Sequence, residues 1–420
     1  MRYIYTVLFY CLLPFLFLRL LWRSRLNPEY RKRWRERLGF FPQELQQSIW
    51  VHAVSVGESI AAVPLIKALK AAYPEIPLIV TNMTPTGYAR VKAALGDGVL
   101  QSYIPYDVPD AVQRFLRRTK PLIAVIMETE LWPNLFAACA EREIPILIAN
   151  ARLSEKSMRG YQHITVLTKE MLSKVNHIAA QSEKDAERFV VLGLSKNKVS
   201  VTGNIKFDME LPKELALKSE ALRLQFGADR FIWIAASTHQ GEEEIVLAAH
   251  QLIREKIPNA LLILVPRHPE RFNWVADLIQ QKQFSYARRS QVAACDNNTA
   301  VYLSDTMGEL LLMYSICDVA FVGGSLVSVG GHNMLEPAVL HKPVLTGPQL
   351  FNFAEISEML FAAKGMIKIT DAETLAQEVI RFSNDIPFRN LTGENAYSVV
   401  EKNRGSLQRQ LQWVERLISE

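Results

Sequence analysis

The chain has 420 residues, 49% of them hydrophobic and 22% charged, and a formal net charge of +5. That balance excludes a disordered protein, and the length calls for two domains of roughly 200 residues each in place of one core. Four widely spaced cysteines, Cys11, Cys139, Cys295 and Cys317, form no metal-ligand or redox pattern, so they read as small buried hydrophobes in a reducing compartment.

Residues 1–22 are nearly all apolar, interrupted by Pro14 and Arg19. The run is close to the roughly 20 residues that cross a bilayer, and a tilted span and a shallow insertion are both open. No small-residue cleavage site follows, so the segment reads as a retained membrane anchor. Residues 23–48 carry Arg23, Arg25, Arg31, Lys32, Arg33, Arg35 and Arg37. This collar suits an anionic membrane surface and keeps the bulk of the chain on the cytoplasmic face. Nucleic acid is excluded as a partner, because no basic helix interleaved with aromatics appears elsewhere.

From Ile49 short apolar runs alternate with helical stretches. Ile49–Val54, Leu78–Thr81, Leu122–Met127, Ile144–Ala149, His177–Ala180 and Val199–Thr202 read as strands, with a helix over Ile60–Ala72. Such alternation predicts βαβ units around a parallel sheet covered on both faces, a first Rossmann-like domain over 49–208. Residues 209–228 read as a polar, helix-prone linker. A second series, Phe231–Ala236, Ala260–Val265, Val301–Leu303, Val319–Val322 and Pro343–Leu345, predicts a second Rossmann-like domain over 229–394. Residues 395–420 read as amphipathic helix packing back on the first domain. The expected fold class is therefore α/β: two tandem doubly wound domains, with function at the carboxyl ends of both sheets in a cleft between them.

Chemistry-bearing residues gather at those strand ends. Ser55-Val56-Gly57-Glu58 follows the first strand; the glycine permits a tight turn, and Glu58 is either an N-terminal helix charge or a positioned base. Glu128-Thr129-Glu130-Leu131-Trp132-Pro133-Asn134 puts two carboxylates in one strand-end loop, which favours a site. Thr84-Pro85-Thr86-Gly87 and Asn150-Ala151-Arg152-Leu153-Ser154 suit sugar hydroxyls or helix caps equally. In the second domain Ser237-Thr238-His239 and Gly241-Glu242-Glu243 follow the first strand, and Pro266-Arg267-His268-Pro269-Glu270-Arg271 follows the second. An arginine there can grip phosphate or carboxylate with two parallel hydrogen bonds. Met307-Gly308-Glu309-Leu310 adds a glycine at a helix start.

Gly323-Gly324-Ser325 and Gly330-Gly331 lead into His332-Asn333 and a short helix containing Glu336 and Pro337. Free backbone N–H groups and a helix dipole suit a phosphate there, whereas Asn333 and Glu336, three apart, equally fit a cap and its capping-box partner. No DxD-like pair or His/Cys cluster at a strand end suits a divalent metal. The expected site is metal-free and without cofactor, its positive charge coming from backbone dipoles, Arg267 and Lys206.

The motifs SVGE (55–58), TPTG (84–87), ETELWPN (128–134), NARLS (150–154), STHQGEE (237–243), PRHPER (266–271), MGEL (307–310) and GGSLVSVGGHNMLEP (323–337), in this order and spacing, closely resemble the 3-deoxy-D-manno-octulosonic acid (Kdo) transferases of Gram-negative bacteria. The resemblance runs over nearly the whole chain from the anchor onward. It implies a GT-B glycosyltransferase that moves Kdo from CMP-Kdo, with inversion, to a lipid A precursor (lipid IVA) at the cytoplasmic side of the bacterial inner membrane, in lipopolysaccharide biosynthesis. Carried onto this chain, Glu58 resembles the base and Glu130 a second acidic group, with Ser55, Gly57, Thr84, Thr86, Glu128 and Arg152 on the acceptor side. Arg267, Met307, Gly308, Asn333 and Glu336 resemble the CMP site, Glu336 accepting from the ribose hydroxyls. Ser237, Thr238, His239, Pro266, His268, Glu309 and Gly324 complete the donor side, and Ser325 and Lys206 are looser assignments. The alternatives are another GT-B enzyme, such as a UDP-sugar transferase to a lipid carrier or a sugar-nucleotide epimerase, and a non-catalytic nucleotide-sugar binder.

Overall fold

The computed structural model describes residues 1–291 and 295–420. Its contacts divide the chain into two units, Met1–Asp208 with Arg404–Glu420, and Met209–Asn403.

Seven strands build the first unit: β1 (Ser48–His52), β2 (Leu78–Asn82), β3 (Leu100–Tyr103), β4 (Pro121–Met127), β5 (Ile146–Ala151), β6 (His177–Ala180) and β7 (Val199–Val201). Their order is β3-β2-β1-β4-β5-β6-β7, and every pairing is parallel. The sequences SIWVH, LIVTN and LIANA lack polar alternation because both faces of these strands are buried. On one face Trp50, Phe115, Phe136 and Ile148 form a core; on the other Val51, Leu65, Val80 and Val125 do. The one polar atom of Trp50 is satisfied within the sheet, its Nε1 donating to Thr81 Oγ1 at 2.8 Å. Strand order reverses between β1 and β4, so the loops after these two strands diverge and open a crevice at their carboxyl ends.

The last helix, Ser406–Ser419, covers one face of this sheet through Val414 and Leu417. Residues 395–402 do not join it: they belong to the helix Ile386–Lys402 of the second unit, so the returning segment starts later than the amphipathic pattern suggests. Asp208 fixes the return by accepting the Gly405 and Leu407 N–H groups at 2.5 and 2.6 Å.

The second unit holds β8 (Ile232–Thr238), β9 (Leu261–Pro266), β10 (Tyr286–Arg288), β11 (Val301–Leu303), β12 (Val319–Val322), β13 (Val344–Thr346) and β14 (Met366–Lys368). They run parallel in the order β10-β11-β9-β8-β12-β13-β14, reversing between β8 and β12. The stretch read as a linker contains the helix Leu215–Phe226, whose Leu215, Leu222 and Phe226 are buried. Leu222 and Phe226 join the core with Ile232 and Tyr302, so this helix is part of the second unit's covering layer. Those three apolar residues share one helical face, which a polar opening at Pro212-Lys213-Glu214 obscures.

Candidate active site

The crevice of the first unit is framed by the loops after β1 and β4. Ser55 caps the helix Val56–Ala72 by accepting the Glu58 N–H at 3.3 Å, and Glu58 Oε2 accepts the Val54 N–H at 2.7 Å. Ser55 is thus a helix cap, and one oxygen of Glu58 fixes the chain entering the helix. Gly57 has no left-handed backbone, and only Ser55 Oγ, at 3.9 Å, would meet an added Cβ. The turn expected of it is therefore not the reason for glycine there.

After β4 the chain turns sharply. Glu128 has φ 56°, a left-handed conformation that costs a branched or long side chain on the order of 1 kcal/mol and concentrates at functional sites. Its N–H stays on the ladder to Ala149 O at 2.9 Å, and the Thr129 hydroxyl donates to the Arg152 carbonyl. Burial and the charge of Glu58 raise the pKa of Glu128, against Lys206 and Arg152. Glu130 is pushed up to about 7 by burial, then by Glu58 and Glu128. Lys206 is lowered by burial, with Glu128 opposing and Arg152 assisting. Five predicted residues, Glu58, Glu128, Glu130, Arg152 and Lys206, therefore form one coupled electrostatic group. Lys206 lies in the first unit, where Glu128 and Arg152 act on it. Tyr161, which the sequence reading missed, joins them: its phenol is pushed up to about 12 by burial and by Glu130. Nothing in the spacing of the helix Glu155–Gln162 marks it.

Thr84 caps the helix Pro85–Leu95 through the Gly87 N–H at 3.1 Å, and the Thr86 hydroxyl lies 3.3 Å from Thr84 Oγ1. Thr84 is thus a helix cap, whereas Thr86 caps nothing here.

In the second unit the glycine loop differs from expectation. Glu242, fully buried at the start of the helix Glu242–Lys256, accepts the N–H groups of Gly324, Ser325 and Leu326 at 2.7, 3.0 and 2.9 Å, and that of His239 at 2.9 Å. Those amides are occupied by an internal carboxylate and are not free for a phosphate. Ser325 Oγ donates to Val322 O at 2.6 Å and accepts from Gly347 N at 2.8 Å, so it too is structural. Gly324 makes room for His332: it has φ 67°, and an added Cβ would lie 2.9 Å from the imidazole.

What the loop positions is a cluster of side chains. His239 Nε2 and His332 Nε2 stand 2.8 Å apart with their rings stacked, and His268 meets His239 edge-on at 5.2 Å. His332 is lowered to about 4 by burial, with His239, Arg267 and His268 adding to it, so the pair is neutral near pH 7. The fixed positive charge is then Arg267, whose backbone N–H pairs with Thr238 O across the end of β9 at Pro266. Glu336 lies close enough to Arg267 to feel its charge; burial pushes its carboxyl to about 6, while Asn333 Nδ2 donates to it at 3.2 Å. Asn333 Oδ1 also accepts the Leu335 N–H at 3.2 Å, but the helix Leu335–Ala338 has Met334 at its N-cap, so the pair is not the capping box its spacing allowed.

Other expected ligands are committed to the fold. Thr238 donates to the buried Glu243 at 2.9 Å, and Glu243 is gripped by Arg271 at 2.6 and 3.0 Å. Ser237 takes φ 57° at the bulge in β8. Glu309 is held by two hydrogen bonds from Arg289, at 3.0 and 2.6 Å, and by Thr306. Met307 remains exposed, and Gly308 turns with φ 87°.

Two parallel doubly wound units have the architecture of GT-B glycosyltransferases. Residues 229–399 match the model of group 1 glycosyl transferases, and residues 32–209 match that of the 3-deoxy-D-manno-octulosonic-acid transferases (kdotransferase). The chain is 45% identical to the 3-deoxy-D-manno-octulosonic acid transferase of Haemophilus influenzae, over 98% of this chain and 97% of that one. It is 35% identical to the enzyme of that name from Bordetella pertussis, over 89% and 88%. Among solved structures, the UDP-GlcNAc 2-epimerase of Neisseria meningitidis shares the fold with a TM-score of 0.59 at 15% identity, covering 88% of this chain and 100% of that one. The chain belongs to the Kdo transferase family.

Proposed function

We propose that this chain transfers Kdo from CMP-Kdo to a hydroxyl of lipid IVA, the lipid A precursor, with inversion, at the cytoplasmic side of the bacterial inner membrane. Family membership supports the sugar. The single observation that carries the chemistry is the coupled set of Glu58, Glu128 and Glu130, in which one carboxyl titrates at about 7 beside a charged neighbour. A carboxyl raised in this way keeps its proton towards neutrality, as a general acid requires.

In this reading the first unit holds the acceptor and the second holds the nucleotide. Glu58 takes the proton of the acceptor hydroxyl. The acceptor oxygen bonds to the anomeric carbon of Kdo as that carbon's bond to the phosphate oxygen breaks, and CMP leaves with the electron pair. Glu130, protonated near neutrality, donates to the acceptor or sugar beside Glu58. Arg267 meets the charge developing on the phosphate, and Glu336, with Asn333, accepts from the ribose hydroxyls. The N-terminal helix and the basic collar keep the acceptor unit at the bilayer.

The test is transfer from CMP-Kdo to lipid IVA, with chelator present, by the native chain and by Glu58→Gln. Product from the native chain and a loss of roughly 10²-fold in the variant are expected. A folded native chain that binds CMP and yields no product overturns the acceptor; full activity in the variant moves the base to Glu130.

A further inference from the structure

The N-terminal helix Arg2–Arg23 is docked along its whole length, not only at one end. Tyr5, Phe9, Leu13, Leu16 and Leu20 recur at three- and four-residue spacing and are shielded, as is Ser24 just beyond the helix. Polar bonds fix the docking: Thr6 Oγ1 donates to Asn134 Oδ1 at 2.9 Å, and Tyr10 OH donates to Asp110 Oδ1 at 2.5 Å. Arg2 reaches Glu141 at 3.5 Å, Phe17 meets Tyr106 edge-on at 5.6 Å, and Arg31 Nε donates to Ser24 Oγ at 2.8 Å. All these partners belong to the first unit. The other side of the helix is bare: Ile4, Val7, Leu8, Leu12, Phe15 and Leu18 are each at least half exposed.

By composition and length the helix passes for a span, since 22 residues at about 1.5 Å each reach across a hydrocarbon core of about 30 Å. A span that kept the docking contacts would carry Asp110, Asn134 and Glu141 into hydrocarbon. Burying such groups away from water is costly. We propose that the helix stays docked and lies in the plane of the interface, its bare side sunk in an anionic bilayer and both of its ends on one side. This rests on the membrane reading above and replaces its anchor by a seat.

The charge of the following segment fits that partner. Arg19, Arg25, Arg31, Lys32 and Arg35 are exposed at and beyond the end of the helix. Arg37, expected among them, is buried instead: its Nη2 donates to Met83 O at 2.9 Å and its guanidinium lies over Tyr103.

Cys11 is exposed at mid-helix while Cys139, Cys295 and Cys317 are buried, so the full chain accepts a nitroxide at Cys11 alone. Companion labels at Ile4→Cys and Leu18→Cys are made with Cys11→Ser. On vesicles of phosphatidylethanolamine and phosphatidylglycerol, the three labels are expected to share one depth of about 5–10 Å by oxygen and nickel-chelate relaxation. Protease added outside the sealed vesicles is expected to remove an N-terminal tag. A Cys11 label near the midplane, at about 15 Å, with shallower labels at both flanks and a protected tag, overturns the in-plane seat and leaves the membrane reading standing. A chain that does not sediment with these vesicles overturns both.

Discussion

Glu58 and Glu242 occupy the same place in their two units. Each stands in the first turn of the helix that follows a central strand, β1 or β8, where strand order reverses. Their surroundings differ because the neighbouring loop differs. Beside Glu242, β12 ends in glycine and serine, whose chain folds over the carboxylate and delivers three N–H groups to it. Beside Glu58, the loop after β4 carries Glu128 and Glu130, both of whose carboxyls burial and Glu58 push upward, and Glu58 accepts the Val54 N–H from its own loop. One fold position thus yields a carboxylate bound by four backbone N–H groups in one unit and one that accepts a single backbone N–H in the other.

The contrast breaks most directly at Glu242. Glu242→Ala leaves four backbone N–H groups unpaired around a buried gap and is expected to cost about 3–5 kcal/mol, read by urea denaturation. Glu58→Gln, measured in the same way, is expected to stay within about 1 kcal/mol, because an amide oxygen can still accept from Val54. A loss under about 1 kcal/mol at Glu242 would remove the distinction between the two sites.

The next effect concerns where the donor unit keeps its positive charge. With the Gly324, Ser325 and Leu326 amides occupied by Glu242 and the histidine pair neutral, the proposed function leaves Arg267 to meet the phosphate. Arg267→Ala is expected to weaken CMP binding roughly tenfold, about 1.4 kcal/mol, by calorimetry, with unchanged thermal stability. Unchanged affinity would return the anion site to backbone amides.

Both sheets were largely legible from sequence, since long strands buried on two faces leave unbroken apolar runs such as LIAVIM at 122–127. The missed strands, β3, β10 and β14, are edges of three or four residues whose sequences LQSY, YAR and MIK mix polar with apolar residues and leave no apolar run. Sequence placed Glu58, Glu128 and Glu130 after strands of the first unit, and Arg267 after a strand of the second, because topology dictates where strand ends go. It could not tell that Glu242 would consume the amides of Gly324 and Ser325, or that Arg289 would hold Glu309. Those partners lie far along the chain from each other, and only packing brings them together.

The smallest effect tests the coupling itself. Glu130 titrates at about 7 in the folded chain against an ordinary 4.5, so the folded state keeps a proton that the unfolded chain has released. Between those two values the unfolded state binds fewer protons, and this group's contribution to stability falls as pH rises through the window. Glu130→Gln removes that titration. The variant and native chains should melt together near pH 5, and by pH 8 the variant should be the more stable by about 1–2 kcal/mol, allowing for its partial exposure. Glu58→Gln should flatten the same slope from the other side, since removing the neighbouring charge returns Glu130 towards its ordinary value. If melting curves of Glu130→Gln and the native chain differ equally at every pH, Glu130 carries no retained proton. The first unit would then hold a carboxylate as settled as Glu242.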